Sequence, residues 1–420
     1  MNARLRGTAQ ETFRSFSIRN FRLFFVGQLI SQIGKWLTMV ALVLFVLHLT
    51  DNGVAIGLLT ACQFLPVLLI GAWAGLLADR SDKRRLLMVV QAFAMLQSFA
   101  LAALAFTGDP PLWSLYLVAL AGGFAIAFDS PARRAFVVEM VPEADVNNAV
   151  SLNSALMTGA RVVGPALAGA LIYFFGYGWA FLLDGISYLA VIAGLYLIDP
   201  RELRTARVTS RAKGQVRAGL RYVSQVHDLW VPLVMMAIIG TFTFNFQVVL
   251  PLFVTRSLGS TSTMYTVLWS VVSLGAVAGA LATARRSETT VSNVVAAAAT
   301  FGGGMLLLAA APNLWLAYPA GLLMGFTSIS FMTSSTAIVQ VRADPTMRGR
   351  VLALQSMVFL GSTPVGGPIL GFVIDIFGAR SGVVLGGLAA LGAAAWGWRV
   401  ERAHLALRPE AVPLDTTVAV

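Results

Sequence analysis

The sequence is poor in the groups that soluble proteins rely on most. Of its 420 residues only 12% are charged, about half the share of an ordinary globular domain. A soluble chain of this length would form two or three domains, and so few charges could not cover their surface. Soluble enzymes, nucleic-acid binders and disordered hubs are excluded on this ground. Cys62 is the single cysteine, so no internal disulfide can form, and there is no Cys/His cluster to hold a metal. The three histidines, His48, His227 and His404, fall at the ends of apolar stretches or in the tail, which argues against a histidine proton relay. No Ser/His/Asp grouping stands out, so neither catalysis nor a cofactor is expected.

What the chain has is apolar length. Hydrophobic residues make up 57% of it, in stretches long enough to cross about 30 Å of hydrocarbon as helices. Twelve such spans are predicted, at about 20–48, 53–78, 85–106, 112–138, 147–175, 178–198, 229–255, 263–284, 291–310, 313–341, 350–376 and 380–398. The first is too long for a signal-peptide core and no small-residue cleavage site follows it, so it is read as retained. One long hydrophilic interruption separates six spans from six. The organisation expected is a six-helix bundle over 1–198, a linker over 199–228, a second bundle over 229–399 and a tail over 400–420. The net charge of +11 fits the positive-inside rule. With the N-terminus in the cytoplasm, 26 of the thirty Lys and Arg fall in cytoplasmic segments or at the cytoplasmic ends of spans, only Arg256 and Arg380 fall outside, and Lys35 and Arg161 are left in span interiors. Both termini are therefore expected on the cytoplasmic side of the plasma or inner membrane, with the basic excess implying nothing about nucleic acid.

The two halves repeat. Asn148-Ala-Val-Ser-Leu-Asn-Ser154 aligns with Arg350-Val-Leu-Ala-Leu-Gln-Ser356 at an offset of 202 residues, and Gly164-Pro165 with Gly367-Pro368 one residue further on. Both stretches end at a Phe-Gly pair, Phe175-Gly176 and Phe377-Gly378. Parallel six-helix repeats around a cavity are a transporter architecture. The loop after the second span reads Gly75-Leu-Leu-Ala-Asp79-Arg80-Ser-Asp82-Lys83-Arg84-Arg85. It resembles the signature loop of the major facilitator superfamily, with Asp82 where that pattern has its second Gly. By the resemblance it latches the two halves when the cavity faces outward. Gly75 would permit close helix approach, and Glu139 is a candidate partner for the basic residues. The C-terminal counterpart, Gly279-Ala-Leu-Ala-Thr-Ala-Arg285-Arg286, lacks the Asp. Gly159, Gly164-Pro165 and Gly169 resemble the Gly-Pro motif of antiporters in this superfamily, although a plain packing seam reads the same way. With Asp129-Ser-Pro-Ala-Arg133 and Val138-Glu-Met-Val-Pro142, the pattern is similar to the bacterial branch containing the enterobactin exporter, macrolide efflux proteins and related secretion effectors.

Ionisable groups at mid-membrane are costly and normally face a cavity or a partner. Gln28, Gln32, Lys35 and Met39 share one face of the first span, and Asn147, Ser151, Ser154, Thr158 and Arg161 one face of the fifth. The resemblance places both spans on the central cavity. Lys35 and Arg161 read either as contacts for an anionic or electron-rich substrate or as structural charges neutralised within the N-terminal half. Asp129 and Asp184 are the acids available for proton coupling. Asp129, however, also stands four residues before Arg133, the spacing of a same-helix ion pair. The C-terminal half offers Asn245, Gln247 and Gln355 among aromatic and hydroxyl residues, a mixture suited to an amphipathic organic molecule. No phosphate-cradling loop is present, so direct ATP drive is excluded. The expectation is an all-α membrane protein, acting as a monomeric, proton-coupled exporter of a drug, siderophore or similar metabolite. The alternatives are a transporter of lysophospholipid or other lipid and a non-transporting receptor or scaffold.

Overall fold

The computed structural model describes residues 11–204, 215–284 and 289–406. Twelve spans long and apolar enough to cross a membrane run through it, and no strand occurs among the described residues. The first six are α1 (Arg19–Thr50), α2 (Gly53–Arg80), α3 (Lys83–Phe106), α4 (Leu112–Glu139), α5 (Val146–Phe175) and α6 (Tyr177–Leu197). A short helix, α7 (Gln215–Gln225), lies in the linker. The seventh span is split into α8 (His227–Phe242) and α9 (Phe246–Leu252), the latter continuing as a π-helical turn over Phe253–Ser257. The rest are α10 (Ser262–Ala284), α11 (Val291–Ala310), α12 (Leu314–Arg342), α13 (Arg348–Phe377) and α14 (Ala379–Ala406). The all-α membrane class read from the sequence is what forms. α14 runs past position 399, and Arg285 and Arg286 lie outside the described residues.

Short polar residues start the helices where the spans turn. Asn52 accepts from the Ala55 N–H at 2.9 Å, Asp82 from Arg85 at 3.1 Å, and Asn313 from Leu316 at 3.1 Å, each satisfying a donor that the first helical turn leaves free. Asp82 thus has a defined use in place of the glycine of the family pattern. The repeat is visible in the backbone. Gly176 ends α5 at φ 83°, ψ 176°, and Gly378 ends α13 at φ 86°, ψ 160°. Both occupy a region essentially closed to side-chain-bearing residues.

The undivided span expected over 229–255 is the one element the structure redraws. The helix stops at Phe242, and the Asn245 side chain takes over part of its hydrogen bonding by donating to Thr241 O at 2.7 Å. Thr243 Oγ1 donates across to Gly386 O at 2.9 Å. A break at membrane depth is tolerated because these protein groups replace the missing backbone partners.

α1–α6 pack among themselves, as do α8–α14, and two seams join the halves: α2 against α13 and α5 against α10. The α2–α13 seam is glycine-lined. A Cβ on Gly57 would stand 2.5 Å from Gly367 O and 2.8 Å from Pro368 Cα, so only glycine allows this approach. Outside, the spans carry exposed apolar side chains. Trp113, Trp179, Trp315 and Tyr173 sit near one end, and Trp73, Tyr196 and Trp398 near the other, as aromatic belts at two membrane–water boundaries would.

Candidate functional site

The embedded charges of the N-terminal half form one cluster around Asp129 of α4. Its Oδ2 accepts from Lys35 Nζ of α1 at 3.0 Å and lies 2.9 Å from the Arg133 guanidinium one turn along. Its Oδ1 accepts from Gln91 Nε2 of α3 at 2.8 Å. Arg133 also reaches Met157 Sδ of α5 at 3.1 Å. The same-helix pair expected from spacing is present, and Lys35 joins it from another helix. Lys35 is thereby spoken for inside the protein.

Asp184 of α6, only 1% exposed, is treated differently. Ser98 Oγ of α3 donates to its Oδ2 at 2.8 Å, while Ser187 Oγ lies 3.4 Å from its Oδ1 and donates to the Asp184 backbone carbonyl at 2.7 Å. No cation lies within ion-pair distance among the described residues. Gly34 of α1 makes room for it, since a Cβ there would meet Asp184 Oδ1 at 2.5 Å and Ser187 Oγ at 2.7 Å. A cavity of ≈ 40 Å³ is lined by Lys35, Gln63, Gln91, Ser98, Asp129 and Asp184 among others, large enough for a water molecule between the two acids. Gln63, Gln91, Ser98 and Gly34 were not singled out from sequence. Their only signal was polarity, or smallness, at depth in spans otherwise apolar.

The remaining predicted positions are spread more widely. Gln28 and Gln32 are buried and bonded to each other at 3.0 Å, leaving Gln28 Nε2 without a partner. Ser154 and Thr158 are exposed on α5, their hydroxyls turned back to Val150 O and Ser154 O. The Arg161 guanidinium lies 5.6 Å from the Trp36 ring centroid, and its Nε has no partner. From the other half, Gln247 reaches Met39 Sδ at 2.8 Å, Gln355 donates to Ser335 Oγ at 3.1 Å, and Asn245 is occupied by the helix break. His227 stacks on His404 with centroids 3.9 Å apart and meets Glu401 at 2.8 Å, at the end of the bundle that carries Arg80 and both ends of the described chain.

At that basic end several of the loop residues are held by partners in the same half. Lys83 and Glu139 form a largely buried ion pair at 2.8 Å. Arg84 donates to Leu195 O at 2.6 Å and Tyr196 O at 2.8 Å, closing the last turn of α6. Asp79 is half-buried and Arg80 exposed. A Cβ on Gly75 or Gly159 would meet no atom within 4 Å, so Gly75 is not a close-approach glycine in this state. Gly164 packs on Trp36 of α1, Pro165 is buried, and Gly169 abuts Thr266 of α10. The contacts between halves lie towards the other end: Ser270 Oγ to Val162 O at 3.0 Å, the Gly57–Gly367 approach, and a polar knot beyond it. In that knot Asp375 of α13 accepts from the Gly53 and Val54 N–H groups of α2, both at 2.9 Å. Arg256 bridges Asp375 at 2.7 Å and Asp51 at 3.1 Å. The halves are thus clamped at the end remote from the basic loops.

The family model for transmembrane secretion effectors matches residues 10–409. This chain is a member of that family, within the major facilitator superfamily. Among its relatives, the staphyloferrin A transporter of Staphylococcus aureus is 23% identical over 363 residues, covering 85% of this chain and 90% of the relative. Macrolide efflux protein A of Streptococcus pyogenes is 24% identical over 163 residues, 39% of this chain and 40% of the relative. Solved structures share the fold at low identity. A bacterial homologue of the human lysosomal transporter Spinster, in an inward-facing, unoccupied conformation, superimposes with a TM-score of 0.73 at 14% identity, covering 93% of this chain and 98% of that one. A D-xylose–proton symporter gives 0.73 at 13% identity, covering 92% and 98%. The family, its relatives and the twelve apolar spans make this a multi-pass membrane transporter.

Proposed function

We propose that the chain is a secondary active exporter of a small amphipathic organic molecule, driven by proton antiport. The observation that carries the reading is the pair of buried acids in the N-terminal half. Asp129 is neutralised by two cations, whereas Asp184, sharing a cavity with Lys35, has only hydroxyl partners. A carboxylic acid held in an apolar surround without a cation keeps its proton; one approached by an ammonium releases it. Movement of Lys35 from Asp129 to Asp184 would release the Asp184 proton into the cavity, and its return would let Asp184 take up another once the rocking halves have turned the cavity to the opposite side. The units that rock are residues 1–198 and 229–399, joined by the linker 199–228. Export is supported by the Gly-Pro face of α5 and by the efflux function named for the streptococcal relative. The Arg and Lys of the basic end support a cytoplasmic position for it at a plasma or inner membrane; substrate would then enter from that side, with one chain sufficing.

The test is uptake into inverted membrane vesicles of a panel of macrolides and carboxylate siderophores, with and without an imposed proton gradient. Gradient-driven uptake of at least one compound is expected, with the gradient dependence lost in Asp184→Asn while exchange of labelled for unlabelled compound persists. Uptake that ignores the gradient would refute antiport, and full gradient-driven uptake in both Asp184→Asn and Asp129→Asn would remove these acids from the coupling.

A further inference from the structure

Three cations stand deep in the N-terminal spans, and the structure provides for them unequally. Lys35 and Arg133 share Asp129. Arg161, near the middle of the 30 residues of α5, has no carboxylate within ion-pair distance among the described residues. Its guanidinium is held over Trp36 with its Nε shielded and unpartnered. Trp36 is itself fixed, its Cβ against Gly164 of α5 and its ring 6.3 Å from that of Trp269 on α10. Arg161 therefore lies at the junction where α1 and α5 of one half meet α10 of the other. Towards the basic end its own face continues as Thr158 and Ser154, both exposed, with hydroxyl protons already donated to the backbone. Those hydroxyls remain free to accept, while the guanidinium can only donate.

We infer that the substrate carries a carboxylate and that Arg161, seated on Trp36, is the group that binds it. The inference rests on the exporter reading above and narrows it from amphipathic molecules in general to organic anions. An unpaired guanidinium at membrane depth requires a counter-charge or water, and its planar fork matches a carboxylate through two parallel N–H···O bonds. The rings of Trp36 and Trp269 offer an apolar surface beside that fork. A cationic molecule would meet like charge at the same place, which sets it apart from an anion of equal size.

Two xanthene dyes of similar size and opposite charge provide the test: carboxyfluorescein and rhodamine 123, offered to proteoliposomes holding the full chain under an imposed proton gradient. The wild type is expected to move carboxyfluorescein in preference. Arg161→Gln should weaken its apparent affinity by about tenfold or more, and Arg161→Lys, which keeps the charge without the fork, should lose less. Unchanged melting of both variants separates lost binding from lost folding, and any variant that melts early is replaced by Arg161→Met at the same readout. Preference for rhodamine 123, undiminished carboxyfluorescein transport in Arg161→Gln, or transport of neither dye overturns the inference. Transport of neither dye alongside gradient-driven uptake of a macrolide would leave the exporter reading standing, whereas failure across dyes, macrolides and siderophores together would end both.

Discussion

A carboxylate in a membrane protein is defined by its nearest cation, and Asp129 and Asp184 illustrate the two outcomes within one bundle. Asp129 has its charge balanced at 3.0 and 2.9 Å, so its neutralisation is structural as much as functional. Removing Lys35 leaves Arg133 in place, so Lys35→Met should fold normally yet uncouple transport from the proton gradient, a split that paired melting and vesicle-uptake measurements resolve. Lys83 and Glu139 have side chains only 11% and 5% exposed. Breaking such a pair by removing one partner strands a buried charge and costs on the order of 3–5 kcal/mol. Lys83→Met should therefore lower the melting temperature clearly more than Lys83→Met combined with Glu139→Gln. Of these residues, spacing alone identified the Asp129–Arg133 pair. The contributions of Lys35 and Gln91 come from helices 94 and 38 residues away in sequence, a separation at which no local pattern operates.

Among the elements, α2 and α13 are the most closely married across the halves, and glycine is the reason. Gly57 and Gly367 bring the two backbones into contact, where a methyl group would collide with a carbonyl rather than with a flexible side chain. Gly57→Val should hold this seam apart. Cysteines introduced singly at Val54 and Ile376 (each exposed already at the clamped end) would serve as controls, and one at Gly367 should become more reactive to a membrane-impermeant thiol reagent in the Gly57→Val background. Unchanged reactivity would show that the seam yields by another route. Gly367 is legible in the sequence as part of the repeated Gly-Pro motif and Gly57 is not, because close contact between particular glycines depends on helix rotation, which composition does not set. The break in the seventh span shows the same limit. Thr243 and Asn245 stand at the break, but polar side chains also occur in unbroken spans, and hydrogen bonds to other helices, Thr243 to Gly386 among them, make a non-helical turn there tolerable.

For the molecule as a whole, the question is which end is shut. Asp51, Arg256 and Asp375, with the first N–H groups of α2, tie the halves together at the end remote from the basic loops. The Asp375 carboxylate adds the favourable placement of an anion at a helix N-terminus. Since Arg256 is about a quarter exposed, the knot is a latch of modest strength that a transport cycle can undo. Asp375→Asn should shift the resting balance away from the form described, lengthening the distance between spin labels placed across this end, with no loss of folded protein. The effect should shrink at high salt if Arg256 carries it. An unchanged distance distribution would assign closure to the glycine seam alone.

The sequence by itself determined the class, the number of spans, the six-plus-six repeat and the family, because each rests on properties local to a stretch of chain: apolar length, the side on which basic residues gather, and motifs read in order. Tertiary structure alone decided which charges pair between helices and that Arg161 does not, that Gly75 and Gly159 stand free while Gly57 and Gly367 touch, and which end of the bundle is clamped. Those outcomes depend on helix rotation and on the meeting of residues hundreds of positions apart, as when Asp375 caps α2 over a separation of 322 residues. An ion pair forms within a few ångströms or not at all, and only the folded chain sets that distance.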